Sequence, residues 1–124
     1  MANPNIVNVA AIYGNTSTTS LTTTSATSLV SNAASSGKIY KVNSVVVSNT
    51  SASAATITIN VYSAAALGGT AFPIAYQISV PANSTLIVTD KTTAFYLLED
   101  KSVGATAGTS SALVVTASWE ELNA

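Results

Sequence analysis

Few residues in this chain of 124 could carry out acid–base or nucleophilic chemistry. The sequence contains four lysines and five acidic residues, and it has no histidine, cysteine or arginine. Without an imidazole base or a thiolate, most hydrolase triads are excluded. Ser–Lys catalysis would need a lysine buried beside a serine, and Lys91 and Lys101 instead adjoin acidic residues in predicted turns. We therefore expect no nucleophilic catalysis.

The carboxylates form two doublets, Glu99-Asp100 and Glu120-Glu121. Glycoside hydrolysis uses two carboxyl groups that converge on one bond. Neighbouring residues of a strand point to opposite faces of the sheet, so neither doublet converges by itself. Asp90 joins Glu99 and Asp100 around one predicted strand, but a Ca²⁺ site needs several more oxygen ligands. We expect no catalytic residue, no bound metal and no cofactor.

Composition narrows the class of protein further. Charged residues make up 7% of the chain, against about 25% in an ordinary soluble domain, and the net charge is -1. No basic run is present to neutralise phosphates, so we expect neither nucleic-acid nor membrane binding. The first residues lack a signal-peptide pattern, and no apolar run reaches the length of a membrane span. A surface with so little charge indicates a chain that packs among neighbours, as in a homo-oligomer.

The elements that must carry these residues are short strands. Alternating apolar residues and turn signals predict strands in six or seven runs: 38–49, 55–63, a run opened by Pro73, 85–90, 93–100, 101–107 and 111–122. In the run 55–63, Ile57, Ile59 and Val61 point inward. The spacing predicts an all-β fold, a single antiparallel β-sandwich of jelly-roll or immunoglobulin-like type.

The segment before residue 38 is harder to assign. IVNVAAIY (6–13) has the composition of a strand, and the stretch 15–37 is rich in Thr and Ser with no charge. We divide the single domain into an N-terminal strand or arm segment, 1–36, and a sandwich core, 37–124. Either the sandwich of the same chain holds this segment, or it is an extended arm that lies on a neighbour. The anchors of such an arm would be its larger apolar side chains: Ile6, Val7, Val9, Ile12, Tyr13 and Leu21.

One face of the predicted strand 55–63 is polar and carries a single aromatic ring. Thr56, Thr58, Asn60 and Tyr62 share this face by alternation. An aromatic ring beside hydroxyl and amide groups is a platform on which a sugar could stack. These four residues are the candidate glycan contact of an alternative function.

The order of these runs resembles that of a known protein family. The series TSLVSNAASSGKIYKVNSVVVSNTSASAATITINVY, the turn VPANSTL, the run YLLEDKSVGATA and the final ALVVTASWEE are similar to small virion proteins of tailed bacteriophages. The leading MANPNIVNVAAIYG resembles structural proteins of marine tailed phages in particular. The resemblance covers roughly residues 1–122. The sequence departs from the family pattern at Asp100-Lys101-Ser102, where Gly-Asp-Ser is commoner. This departure bears on the type of turn formed there and not on the fold.

The resemblance implies a β-sandwich virion component that acts as a capsid decoration, neck or tail accessory protein. We expect a non-enzymatic capsid decoration protein that self-associates and docks on the head shell through residues 1–36. Its partners would be the major capsid protein, or neck and tail proteins, and its location the virion, assembled in the bacterial host cytoplasm. The alternative is a neck, tail or fibre accessory protein, one version of which binds host surface glycans.

Overall fold

The computed structural model describes residues 5–123, and in this range the chain forms two antiparallel β-sheets that pack face to face. Two 3₁₀ turns, Ile6–Asn8 and Lys91–Thr93, accompany the strands. The strands of this range are β1 (Ala11–Ser20), β2 (Thr27–Asn32), β3 (Lys38–Asn49), β4 (Ala55–Ala64), β5 (Gly68–Val80), β6 (Thr85–Thr89), β7 (Phe95–Leu97), β8 (Lys101–Ala107) and β9 (Leu113–Asn123). The all-β sandwich that the sequence predicts is confirmed.

Strands from the first half of the chain pair with strands from the second half, so that β1 pairs with the last strand, β9, and β4 pairs with the next strand, β5. Sheet A has the order β1-β9-β3-β6, and sheet B has the order β2-β8-β4-β5. The short strand β7 also pairs with β3, along Tyr40–Val42, while β6 pairs with Val45–Ser48. Thus β6 and β7 together occupy one edge of sheet A. The outer strands are β1 and β6 with β7 in sheet A, and β2 and β5 in sheet B.

The core lies between the sheets and follows the alternation of the strands. Val45 and Val47 of β3 face Ile57 and Ile59 of β4, and all four are completely buried. Val61 packs against the same cluster, as predicted. Burial of each such side chain contributes about 1.5–3 kcal/mol, so this cluster is the main source of the sandwich's stability.

Asn49 joins the loops at one end of the sandwich. Its amide nitrogen donates to the carbonyl oxygens of Ser53 and Val80, both at 2.9 Å. Its side-chain oxygen accepts from the backbone N–H and the hydroxyl of Ser51, at 2.9 and 2.8 Å. A buried amide satisfied in this way fixes three backbone segments relative to one another.

Asn32 has the same role at the opposite end. It is fully buried, and its amide nitrogen donates to the carbonyl oxygens of Lys38 and Leu97, at 3.0 and 3.1 Å. Its side-chain oxygen accepts from the hydroxyl of Ser36 at 2.6 Å. Each end of the sandwich is therefore closed by a buried asparagine.

The strand boundaries confirm some predictions and correct others. The runs 38–49 and 101–107 are strands over their predicted lengths. The run 6–13 becomes a strand only at Ala11, because the Asn5 side chain caps a 3₁₀ turn at its start. The turn after β4 lies at 65–67, and the next strand, β5, begins at Gly68, before the Pro73 at which the sequence predicted it.

The described part of the segment 1–36 contributes a strand to each sheet. β1 pairs with β9 over its whole length, from Ala11 with Asn123 to Ser20 with Val114, and β2 pairs with β8. The hydrogen bonds of these strands are therefore made within the chain. An extended N-terminal arm is not confirmed, and the first four residues of that segment lie outside the described range.

Candidate interaction surfaces

The predicted N-terminal anchors lie at the start of β1 and just before it. Ile6, Val7, Ile12 and Tyr13 are exposed, and Val7 retains 85% of its accessible surface. Val9 is half-buried. The outer edge of β1 has no partner strand within residues 5–123. An apolar group beside an open strand edge is a surface on which another chain can dock.

Leu21, the sixth predicted anchor, lies elsewhere and must be corrected. Its exposed fraction is 1%, and it belongs to the core between the sheets. Its backbone N–H donates to the carbonyl of Leu113, and its carbonyl accepts from Ser111, both at 2.9 Å. These bonds continue the β1–β9 pairing by one residue and hold Leu21 where it packs into the core. It is therefore not available to a partner.

The predicted glycan contact also lacks its aromatic platform. Thr56, Thr58 and Asn60 are half-buried and share one face of β4 with Tyr62, but only 8% of Tyr62 is exposed. Its ring lies over Gly104 of β8, where an added Cβ would be 3.1 Å from Tyr62 Cε2. A sugar cannot stack on a ring that the protein already covers, so Tyr62 is corrected from a surface residue to a packed one.

The turn between β4 and β5 folds back over sheet B close to Tyr62. The three backbone N–H groups of 65–67 donate, in order, to Asp100 Oδ1, Ser31 Oγ and Ser102 Oγ, at 3.0, 2.9 and 2.9 Å. Ser102 Oγ also donates to the carbonyl oxygen of Ala64 at 2.8 Å. This network holds the turn against β2 and β8, which explains why a ring on the outer face is buried.

The acidic residues of the turns make structural hydrogen bonds. Glu99 Oε2 accepts from the backbone N–H of Gly37 at 2.9 Å, and Asp100 accepts from the β4–β5 turn. Asp90 Oδ1 accepts from the hydroxyl of Thr92 at 2.6 Å and from its N–H at 3.0 Å, and these bonds lower the pKa of the Asp90 carboxyl. Within residues 5–123 no three potential metal-ligating side chains come together.

The second doublet, in β9, makes polar contacts with β3 residues. Glu120 Oε1 accepts from the amide of Asn43 at 3.0 Å, and Glu121 lies 3.3 Å from the Lys38 ammonium. Burial raises the pKa of the neighbouring Tyr40 hydroxyl, and the Glu121 charge raises it further. Alternation sends Glu120 and Glu121 to opposite faces of sheet A, so the doublet does not converge.

An apolar surface that the sequence reasoning missed lies along β5. Phe72, Ile74, Tyr76 and Ile78 are all exposed, and Tyr76 retains 64% of its accessible surface. The alternation of this run is typical of a half-buried strand, and its position in the sheet cannot be read from it. One signal was present, because Pro73 inside a strand indicates an edge.

Comparison with protein-family models finds no match for this chain, and comparison with curated proteins finds none either. No helix among residues 5–123 is long and apolar enough to cross a membrane. What remains to indicate a function is the order of the strands and the chemistry of the surfaces.

Proposed function

We propose that this chain is a non-enzymatic structural protein of a tailed-phage virion, and that it decorates the capsid by docking on the head shell. The proposal joins the resemblance of its sequence runs to small virion proteins with the arrangement of its two sheets. Its location would be the virion, assembled in the bacterial host cytoplasm, and its partners the major capsid protein and further copies of itself.

The strand order is the observation that carries the proposal. β1 pairs with β9, β2 with β8, β3 with β6 and β4 with β5, which is one long hairpin rolled into two sheets. This winding supports the jelly-roll type, a fold found in viral capsid and lectin domains. An immunoglobulin domain instead pairs its first strand with its second, and its last with an internal strand. The jelly roll is thus the better supported of the two predicted types.

The distribution of charge supports a protein that works by packing. All charged residues except Asp90 and Lys91 lie towards the end of the sandwich where β3 begins and β9 ends. The loops at the opposite end, 21–26, 50–54, 81–84 and 108–112, contain no charged residue. This uncharged end lies opposite the start of β1, so it could be buried against a second neighbour without desolvating a charge, which is the costly part of forming an interface.

The state of the acidic side chains supports the absence of catalysis. Glu99, Asp100, Glu120 and Glu121 each serve a turn or a contact between strands. A general acid or nucleophile would instead be expected to face a cleft where a substrate could bind. The chemistry of these groups is therefore accounted for by folding.

The surface proposed to dock on the shell is the N-terminal one. Val7, Ile12 and Tyr13 are exposed next to the open edge of β1. A strand of the shell could add to this edge through backbone hydrogen bonds, with the apolar side chains filling pockets beside it. Leu21 plays no part in this contact because it is a core residue.

A neck, tail or fibre accessory protein is the alternative, and the fold suits it equally. Its glycan-binding version is weaker, since Tyr62 is buried and leaves only Thr56, Thr58 and Asn60 on that face. A glycan array with Thr58→Ala as the control variant separates the two functions. A specific signal that this variant loses would favour the alternative, and no signal would remove its glycan-binding version.

The proposal is tested on particles of the phage that encodes the chain. We expect mass spectrometry to detect it in purified virions and electron cryomicroscopy to show a sandwich of 12.5 kDa on the head shell. A double variant, Val7→Asp with Ile12→Asp, should fold normally and be absent from particles. Tyr62→Phe, which keeps the buried ring, is the control and should be incorporated. Virions that lack the unmodified chain would refute the proposal.

A further inference from the structure

β1 contributes no side chain to the core of the sandwich. Among residues 5–123, none of the buried core residues and none of the apolar residues packed against them belongs to β1, whereas each of the other eight strands contributes at least one. Ser17 pairs with the fully buried Ala117, and its hydroxyl donates to the Leu29 carbonyl of β2. The alternate residues Asn15, Ser17 and Thr19 therefore face sheet B, and all three are polar.

Backbone hydrogen bonds to a single neighbour hold β1 in place. All ten of its residues pair with β9, and its other edge has no partner strand within residues 5–123. Side-chain hydroxyls add long contacts, 3.2 Å between Thr16 and Ser118 and 3.4 Å between Ser17 Oγ and the carbonyl oxygen of Leu29. Every residue of β1 is exposed or half-buried. Accessible backbone hydrogen bonds with few buried apolar contacts are typical of segments that open locally.

β2 is also an outer strand, but its side chains anchor it in the core. It has six residues, and in the described range it pairs with β8 alone. Leu29, Val30 and Asn32 are buried, and the Asn32 amide also donates to the carbonyl oxygens of Lys38 and Leu97. Opening β2 would bring these side chains into water, whereas opening β1 withdraws no side chain from the core. The two strands therefore differ in anchoring and not in edge position.

We infer that β1 is a releasable strand, which separates from β9 as a unit while the other eight strands of the described range remain folded. Leu21 sets the limit of the release, because it is 1% exposed and its backbone bonds to Leu113 and Ser111 at 2.9 Å. β9 keeps its pairing with β3, from Leu113 to Asn123. The core therefore stays closed while β1 is released.

Release converts residues 5–20 into an arm that is joined to the sandwich at Leu21. An extended chain spans about 3.3 Å per residue, so this arm reaches about 50 Å. Val7, Ile12 and Tyr13, which are exposed side chains of the proposed docking surface, lie on the arm. In this respect the inference rests on the proposed function: the released arm brings these side chains to sites on the shell that the closed sandwich does not reach.

Amide hydrogen exchange, followed by NMR on the purified full-length chain, tests the release. We expect the β1 amides that bond to β9 to exchange together, and about 100-fold or more faster than the amides between β3 and β9. The β9 amides directed at β1 should exchange with them, while those directed at β3 stay protected. The β2 amides that bond to β8 should exchange about 10-fold or more slower than those of β1, although β2 is the shorter strand.

A disulfide between positions 16 and 118 gives a variant in which β1 cannot leave. The chain has no cysteine, and the hydroxyls of Thr16 and Ser118 meet across the ladder. In the variant Thr16→Cys with Ser118→Cys, oxidation should slow β1 exchange about 10-fold or more, and reduction should restore it. Thr19→Val, which adds a methyl group on the side facing sheet B, is a second variant and should slow β1 exchange about threefold. Thr18→Val, on the outer face, is its matched control and should not.

Three results would overturn the inference. If β1 amides exchange at the rate of those between β3 and β9, then β1 opens only with the whole domain. Equal rates in β1 and β2 would show that an edge position alone explains the opening. Unchanged β1 exchange in both the oxidised disulfide variant and Thr19→Val would show that the measured exchange does not come from release of the strand. All of these measurements use the isolated chain, so a failure here leaves the virion proposal standing.

Discussion

Replacing Asn49 by alanine removes the side chain that joins three backbone segments at one end of the sandwich. Its amide nitrogen donates to the carbonyl oxygens of Ser53 and Val80, and its oxygen accepts two hydrogen bonds from Ser51. Alanine can make none of these four bonds. The carbonyl of Val80 lies in a fully buried residue, so water cannot readily replace the lost donor.

The size of the effect follows from these contacts. A buried carbonyl left without its donor costs about 1–3 kcal/mol, and the bonds to the more accessible Ser51 and Ser53 add less because water can replace them. We expect Asn49→Ala to lower the free energy of unfolding by about 2–4 kcal/mol. A domain of this size has about 5–15 kcal/mol in total, so the variant should fold but be much weakened.

Urea unfolding measures the effect directly. With a slope of about 2 kcal/mol per molar, the midpoint should fall by roughly 1–2 M. Asn15→Ala is the matched control, because the Asn15 amide makes one long bond, 3.4 Å, to the carbonyl of Tyr13 on the edge strand β1. This control should stay within about 0.5 kcal/mol of the unmodified chain. Equal midpoints for the two variants would refute the joining role of Asn49.

Two further substitutions test smaller features. At Gly104 an added Cβ would lie 2.6 Å from Leu67 Cδ2, so Gly104→Ala should lower the free energy of unfolding by about 1–3 kcal/mol. Gly14 has open space around it, so the control Gly14→Ala should be neutral or stabilising by about 0.5–1 kcal/mol. If thermal unfolding showed Gly104→Ala to be more stable than the unmodified chain, the packing at Gly104 would be contradicted. NMR titration should give an Asp90 pKa below 3.8, so the ionised carboxyl stabilises the fold above that pH, and this stabilisation is lost as the pH falls through the folded pKa. Thr92→Val, which removes the hydroxyl, should raise the Asp90 pKa, whereas Thr92→Ser, which keeps it, should not. An unchanged pKa in Thr92→Val would contradict the hydrogen bond as the cause of the shift.

The alternation of apolar residues was sufficient to predict several strands and their faces. In β4 it predicted Ile57 and Ile59 inside, and both are fully buried. β3 and β8 have their predicted bounds, because β-branched residues between turn signals are a local property of the chain. The two acidic doublets were likewise predicted not to converge, and Glu120 and Glu121 do lie on opposite faces.

The accessibility of individual side chains could not be read in the same way. Tyr62 has the alternation of a surface residue and is buried, because a turn with positive φ at Ala66 and Leu67 folds back over its sheet. Leu21 follows a polar strand and is a core residue, because pairing with Leu113 continues past the end of β1. Leu21 bonds to a residue far along the chain, and the turn that covers Tyr62 is held in place by Ser31 and Ser102, which are also distant in sequence.

β5 shows most clearly which features the sequence predicts and which depend on the tertiary structure. Its apolar spacing identifies a strand, and Pro73 indicates an edge, but the exposure of Tyr76 depends on which segments pack against β5. The order of residues along a strand determines which side chains share a face, since that depends only on backbone geometry. Whether a face is covered depends on which distant segment packs against it, and this follows from how the two sheets close around their common core.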